Sequence, residues 1–209
     1  HLMQFSEKEF EKLIAGDARI LGALRDWQKQ IPSFVDWQLK RENEGWRYHD
    51  AELSIGFTLS ITDPNGGKQD IRIAGRADRF DIHESDASAA AVIDYKNQKI
   101  KKITQRAESI LDDPQLLIYA RASNESKKIS GRLVNAAEWV ALKADVKKEG
   151  DEAERTVAIE TMPELMQEFS EQITEDVQSL WSGKPLKAFA PDSVCQYCEA
   201  RGICRKGMW

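Results

Sequence analysis

With 209 residues, 41% of them hydrophobic, the chain is long enough to bury one substantial core. A balance of 30 Lys and Arg against 35 Asp and Glu gives a net charge of -5, which excludes a general attraction to a polyanion and confines any nucleic-acid contact to a local patch. No apolar run approaches the roughly 20 residues of a membrane span, and three clustered cysteines are unlike the even framework of a disulfide-stapled secreted domain, so a cytoplasmic protein without membrane contact is expected.

His1-Leu2-Met3 read as a cloning remnant ahead of the natural sequence, which makes the chain a piece of a longer protein. Ser6 and Glu9 have capping-box spacing, with Phe5 and Phe10 placed as a staple. They predict a helical N-terminal region over 4–48, broken near Gly16 and Pro32, with Trp27 and Trp37 in its core. From Glu52 to Ile61, Leu53, Ile55, Phe57, Leu59 and Ile61 alternate with small or polar residues, the period of a half-buried strand. Asp63-Pro64-Asn65-Gly66-Gly67 is turn chemistry, and a second strand, Asp70 to Ile82, returns antiparallel. After a polar loop, Ala89 to Tyr95 reads as a buried third strand.

Asp113-Pro114 predicts a helix start, continued by Leu116, Leu117 and Ala120. Leu133 to Leu142 is a fourth strand, and Lys147 to Arg155 a charged loop. Thr161 and Glu164 repeat the capping-box spacing before a helix striped by Leu165, Phe169, Ile173 and Val177. The order is an α/β one: helix, three strands, helix, strand, helix, with a core expected over 49–185 and a cysteine-bearing tail over 186–209.

Within Gly75-Arg76-Ala77-Asp78-Arg79-Phe80-Asp81 and Val92-Ile93-Asp94-Tyr95-Lys96, acidic residues lie inside largely apolar strands, where a charge is costly unless paired or metal-bound. Strand alternation puts Asp94 and Lys96 on one face and turns Tyr95 away. With Asp78 on the neighbouring strand, two carboxylates and one ammonium converge. Such a set suits Mg²⁺, or Mn²⁺, which takes oxygen ligands, keeps part of its water and acidifies one of them for attack on a phosphodiester. The plainer alternative is a surface ion-pair ladder of Asp78, Arg79 and Asp81, with Asp94 and Lys96 merely ending a strand.

Glu52 ahead of G-R-A-D-R-F-D, I-D-Y-K and Asp113-Pro114-Gln115-Leu116-Leu117-Ile118-Tyr119 resembles, in that order, the RecB-like branch of the PD-(D/E)XK nucleases, and most the C-terminal nuclease domain of AddB-type helicase-nuclease subunits. The resemblance implies a restriction-endonuclease-like core, a mixed sheet flanked by helices. It implies DNA as substrate and a helicase-nuclease partner in double-strand-break repair and recombination. Position by position it implies metal binding by Asp78, Asp94 and the Tyr95 main-chain carbonyl, Lys96 as catalytic lysine, and Gln115 and Tyr119 beside the scissile phosphate. Glu52 matches a further acidic position. An upstream ligand is also usual in the family, and His49, Glu42 and Glu44 are the local options, between which the sequence does not choose.

Lys99, Lys101, Lys102 and Arg106 form a basic run starting at the proposed centre, where DNA phosphates approach. Cys195-x2-Cys198-x5-Cys204 offers three thiolates where zinc or an iron-sulfur cluster takes four ligands. The resemblance implies a [4Fe-4S] cluster whose fourth cysteine lies upstream of the nuclease core. Two other functions stay open: a non-catalytic DNA-binding or scaffold module with the nuclease fold, and a stand-alone CRISPR-associated exonuclease, although those carry an N-terminal cysteine that this chain lacks.

Overall fold

Among the described residues of the computed structural model the α-helices and strands run α1 (Leu2–Gly16), α2 (Ile20–Asn43), β1 (Trp46–Thr62), β2 (Lys68–His83), β3 (Ala89–Lys99), α3 (Ile100–Ala107), α4 (Gln115–Ser126), β4 (Leu133–Lys143), β5 (Thr156–Ile159) and α5 (Met162–Trp181). Described residues are 1–126, 128–129, 131–144, 154–160, 162–185, 190, 195–196, 198–204 and 206. Most of the expected charged loop before Arg155 and Thr161 of the second capping box lie outside them.

The five strands lie in one sheet in sequence order, β1-β2-β3-β4-β5. Pairing is mixed: β3 runs antiparallel to β2, parallel to β4, and β4 antiparallel to β5. The parallel step follows from the connection, because a crossover through α3 and α4 is long enough to return the chain to the same end of the sheet. This is the α/β arrangement the resemblance implies. β3 carries its core, with Ala89 to Asp94 all buried, against Val134, Trp139, Val140 and Ala141 of β4. Leu116, Leu117 and Ala120 of α4 and Ile103 of α3 are likewise fully buried.

β1 and β2 extend beyond the sequence expectations at both ends, β3 and β4 at their C-terminal ends, while the helices depart from them more. α1 begins at Leu2, so Ser6 lies inside it, and no side-chain cap forms at its start. Ser6 is instead buried, its Oγ accepting a 2.8 Å bond from Trp27 Nε1 on α2. α2 passes through Pro32 without ending. A proline ring costs an interior helix bond, but Trp27, Phe34, Trp37 and Tyr95 pack ring against ring on both sides of it, with centroids 5.3 to 6.4 Å apart. That contact holds the helix across the defect.

By contact the chain divides into two units, 1–59 with 72–169, and 60–71 with 170–209. In the smaller unit the Asp63 carboxylate accepts backbone bonds from Asn65 and Gly67 at 2.8 and 3.0 Å, and Gly66 takes φ +85, a conformation glycine adopts at no steric cost. Among the described residues no helix is long and apolar enough to cross a membrane.

Candidate functional site

The geometry starts from register. Arg79 of β2 stands opposite Ile93 of β3, the last pair of that antiparallel register, with Asp78 and Asp94 the next residues along each strand. There the regular pairing ends, and the Asp78 side chain takes over: its Oδ2 accepts a 2.9 Å bond from the Tyr95 amide. Two residues past Asp94, on the same face, Lys96 brings its Nζ within 2.5 Å of Asp94 Oδ2. The same ammonium donates to Gln115 Oε1 at 2.6 Å, and Gln115 Nε2 donates to the Tyr119 hydroxyl at 2.8 Å.

Gln115 and Tyr119 lie one turn apart on α4, so both face the strand while Leu116, Leu117 and Ala120 are buried. The Tyr119 ring fits because position 75 is glycine: a Cβ there would stand 2.7 Å from Tyr119 Cε1. Asp78, Asp94, Lys96, Gln115 and Tyr119, drawn from three elements, therefore come together.

Burial pushes the Asp94 carboxyl above its ordinary value, Lys96 opposes this, and the negative charges of Asp78 and Asp113 push the same way. The Tyr119 phenol is raised first by burial, lowered by its bond with Gln115, and raised again by Asp94, Asp78 and Glu52. Two carboxylates against one ammonium leave an excess negative charge. Asp94 Oδ2 is buried and faces the Lys96 ammonium. An oxygen-only set of this kind fits a hard divalent cation. No group of three or more His, Cys, Asp or Glu side chains placed to hold a metal occurs among the described residues. An ion held by Asp78 and Asp94 would take carbonyl and water oxygens for the rest of its shell.

Other expected residues fall elsewhere. Glu52 is exposed, paired to Arg76 at 2.7 Å, and takes φ 54 within β1. Glu42 accepts a 2.7 Å bond from Gln38, whose own Oε1 accepts from Arg79; the Glu44 carbonyl meets His83; and His49 lies half-buried in β1. Of the basic run, Lys99, Lys101 and Lys102 are exposed. Arg106 is half-buried, ion-paired with Asp113 and set over the Trp139 ring with its Cζ 5.8 Å from the centroid. Asp113, expected as a helix cap, thus faces Arg106 and, electrostatically, Asp94. That role depends on how α3 and α4 pack, which no local spacing encodes.

Of the Asp78, Arg79 and Asp81 ladder, the Arg79–Asp81 pair forms, at 2.6 Å, but not as a surface ladder. Arg79 and Asp81 sit on the opposite face from Asp78, and they are buried rather than at the surface. Asp81 accepts from Arg79 Nε at 2.6 Å and from Arg41 Nε at 2.5 Å; Arg41 Nη1 also donates to Glu138 at 2.7 Å, and Arg79 Nη1 reaches the Tyr95 hydroxyl at 3.0 Å. Among the described residues the three cysteines do not form a group placed to hold a metal ion. Cys195 Sγ meets the Ala190 carbonyl at 3.9 Å and Lys206 Nζ at 3.4 Å, while Cys198 and Cys204 are exposed.

No curated protein matches the sequence. The PD-(D/E)XK nuclease superfamily matches residues 2–205, nearly the whole length, and the chain belongs to that superfamily.

Proposed function

We propose that this chain is the nuclease domain of a RecB-like, AddB-type protein that hydrolyses DNA phosphodiesters with Mg²⁺ or Mn²⁺, acting on strands delivered by a helicase during double-strand-break repair and recombination. The observation that carries this reading is the Asp78 carboxylate on the Tyr95 amide, next to Asp94, with Lys96 between Asp94 and Gln115. Superfamily membership supports metal-dependent phosphodiester hydrolysis, and the order of motifs from Glu52 to Tyr119 supports the RecB-like branch and its helicase partner.

In this reading Asp78, Asp94 and the Tyr95 carbonyl hold the metal. When bound, it supplies an acidified water and offsets charge developing on the phosphoryl group. The Lys96 ammonium orients the attacking water and stabilises the phosphorane-like charge. Gln115 holds that ammonium, and Tyr119 holds Gln115. Exposed Lys99, Lys101 and Lys102 receive the DNA backbone.

The test is Mg²⁺-dependent cleavage of single- and double-stranded DNA by the native chain beside Asp94→Ala and Lys96→Ala. We expect each substitution to lower the rate by about a hundredfold or more. Equal cleavage by all three proteins sinks the proposal.

A further inference from the structure

On the face of the sheet away from Asp94, the buried Arg79 guanidinium is fixed by partners on three elements. Nε and Nη2 donate to the Asp81 carboxylate on β2 at 2.6 and 3.0 Å, while Nη1 donates to Gln38 Oε1 on α2 at 2.7 Å and to the Tyr95 hydroxyl on β3 at 3.0 Å. The two-pronged bond to Asp81 fixes the orientation of the planar group. The Trp37 ring lies against it, with Arg79 Cζ 5.7 Å from the ring centroid. Trp37 and Phe34 of α2 also pack on the Tyr95 ring, with centroids 6.4 and 6.0 Å away.

Tyr95 stands where the sheet holds β3 from one side. The register with β2 ends at Arg79 and Ile93, and two residues on, the Tyr95 amide donates to the Asp78 carboxylate at 2.9 Å. On its other edge Tyr95 pairs with Val140 of β4, in a register that shifts just past Lys96. Asp94 and Lys96 are the chain neighbours of Tyr95, so the placement of this one residue's main chain sets all three polar groups of the centre. A ladder continued on both edges would fix that main chain; here the Tyr95 side chain adds the missing constraint from the α2 face.

We propose that Arg79 is a positioning residue for the Asp78, Asp94 and Lys96 centre, acting through the Tyr95 hydroxyl, an inference that rests on the reading of that centre as a site of metal-dependent hydrolysis. Arg79 holds the Tyr95 side chain. Tyr95 in turn presents the amide that orients Asp78 and carries Asp94 and Lys96 on either side. Removing a hydrogen-bonding partner from behind a metal centre typically costs about 10- to 100-fold in metal affinity or rate.

Tyr95→Phe keeps the ring against Trp37 and Phe34 and removes only the hydroxyl that Arg79 meets. Isothermal titration of Mg²⁺ into the whole chain without DNA, beside steady-state cleavage of single-stranded DNA, tests it. We expect Mg²⁺ to bind about tenfold more weakly to Tyr95→Phe, and kcat to fall about tenfold with KM for DNA unchanged. Arg79→Lys keeps a positive charge beside Asp81 without the fork, and should show the same losses, which adding Tyr95→Phe does not deepen. Should the lysine variant not fold, Tyr95→Phe decides alone. Asp94→Asn is the reference for the ion. If Asp94→Asn loses the Mg²⁺ heat while Tyr95→Phe keeps native affinity and native kcat, whatever its thermal midpoint, the positioning role is overturned and the hydrolytic reading stands. No Mg²⁺ heat from the native chain, or heat that Asp94→Asn retains, overturns that reading and the positioning role with it.

Discussion

The Tyr119 ring occupies the space that a side chain at Gly75 would need, with Cε1 only 2.7 Å from where a Cβ would lie. Glycine at this position of β2 therefore sets where the α4 tyrosine stands. Through Tyr119 it sets Gln115, and through Gln115 it sets the Lys96 ammonium.

Gly75→Ala should test that chain of contacts. The obstacle is a rigid, largely buried ring rather than the end of a flexible side chain, so the ring or the helix must move. Overpacking of this kind costs about 1–3 kcal/mol. We expect a thermal midpoint lowered by several degrees, and a larger fractional loss of kcat than rise in KM, since Lys96 is displaced without removing surface lysines. Adding Tyr119→Leu, which clears the ring, should recover the midpoint and leave kcat low. A Gly75→Ala protein with native midpoint and native rate would show that the ring does not depend on the glycine.

Metal binding has a readout that needs no catalysis. An ion held by Asp78 and Asp94 binds only the folded chain and stabilises it by about 2.7 kcal/mol at a hundredfold excess over Kd. Mg²⁺ should raise the midpoint of the native chain and lose most of that effect in Asp94→Asn. Equal Mg²⁺ shifts in both proteins would place the ion elsewhere.

Strand parity made most of the candidate centre legible. Asp94 and Lys96 must share a face whatever surrounds them, and the i, i+4 spacing of Gln115 and Tyr119 must do the same on a helix. The alternation of Ile55, Phe57 and Ile61 fixed β1 for the same reason, and all three are buried. What escaped was set by partners distant in sequence. α3 holds one fully buried apolar residue, Ile103, among lysines and an arginine, too little for a helical period to stand out. β5 has four residues and exists by pairing with β4. Arg79 and Asp81 read as surface charges because nothing local announces that Arg41 and Glu138 will bury them.

That buried network should be costly to break on one side. Asp81 is fully buried and accepts from both Arg41 and Arg79. Asp81→Asn keeps the shape and leaves two guanidinium groups short of one negative charge, for which about 3–5 kcal/mol is the expected loss. Urea denaturation should show the midpoint falling with little change in slope. The exposed Arg19–Asp17 pair gives the contrast: Asp17→Asn should leave the midpoint where it is, because solvent screens that pair. Similar effects at positions 81 and 17 would mean that burial of the network contributes nothing.

Ser6 separates two roles that a serine three residues before a glutamate can play. As half of a capping box, Ser6 would share its effect with Glu9, and either alanine substitution would loosen the start of a helix. Here Ser6 is buried within α1 and accepts from Trp27 of α2, whereas exposed Lys12 pairs with Glu9 on the helix surface. Ser6→Ala strands the Trp27 indole N–H in a partly buried contact between helices, at a cost of about 1–2 kcal/mol. Glu9→Ala loses only a solvated pair and should not move the midpoint measurably. Trp27→Phe removes the donor as well, so on that background Ser6→Ala should become nearly neutral, a coupling visible in a double-mutant cycle. Additive losses in the cycle, or a Glu9→Ala loss matching that of Ser6→Ala, would return the pair to a capping role.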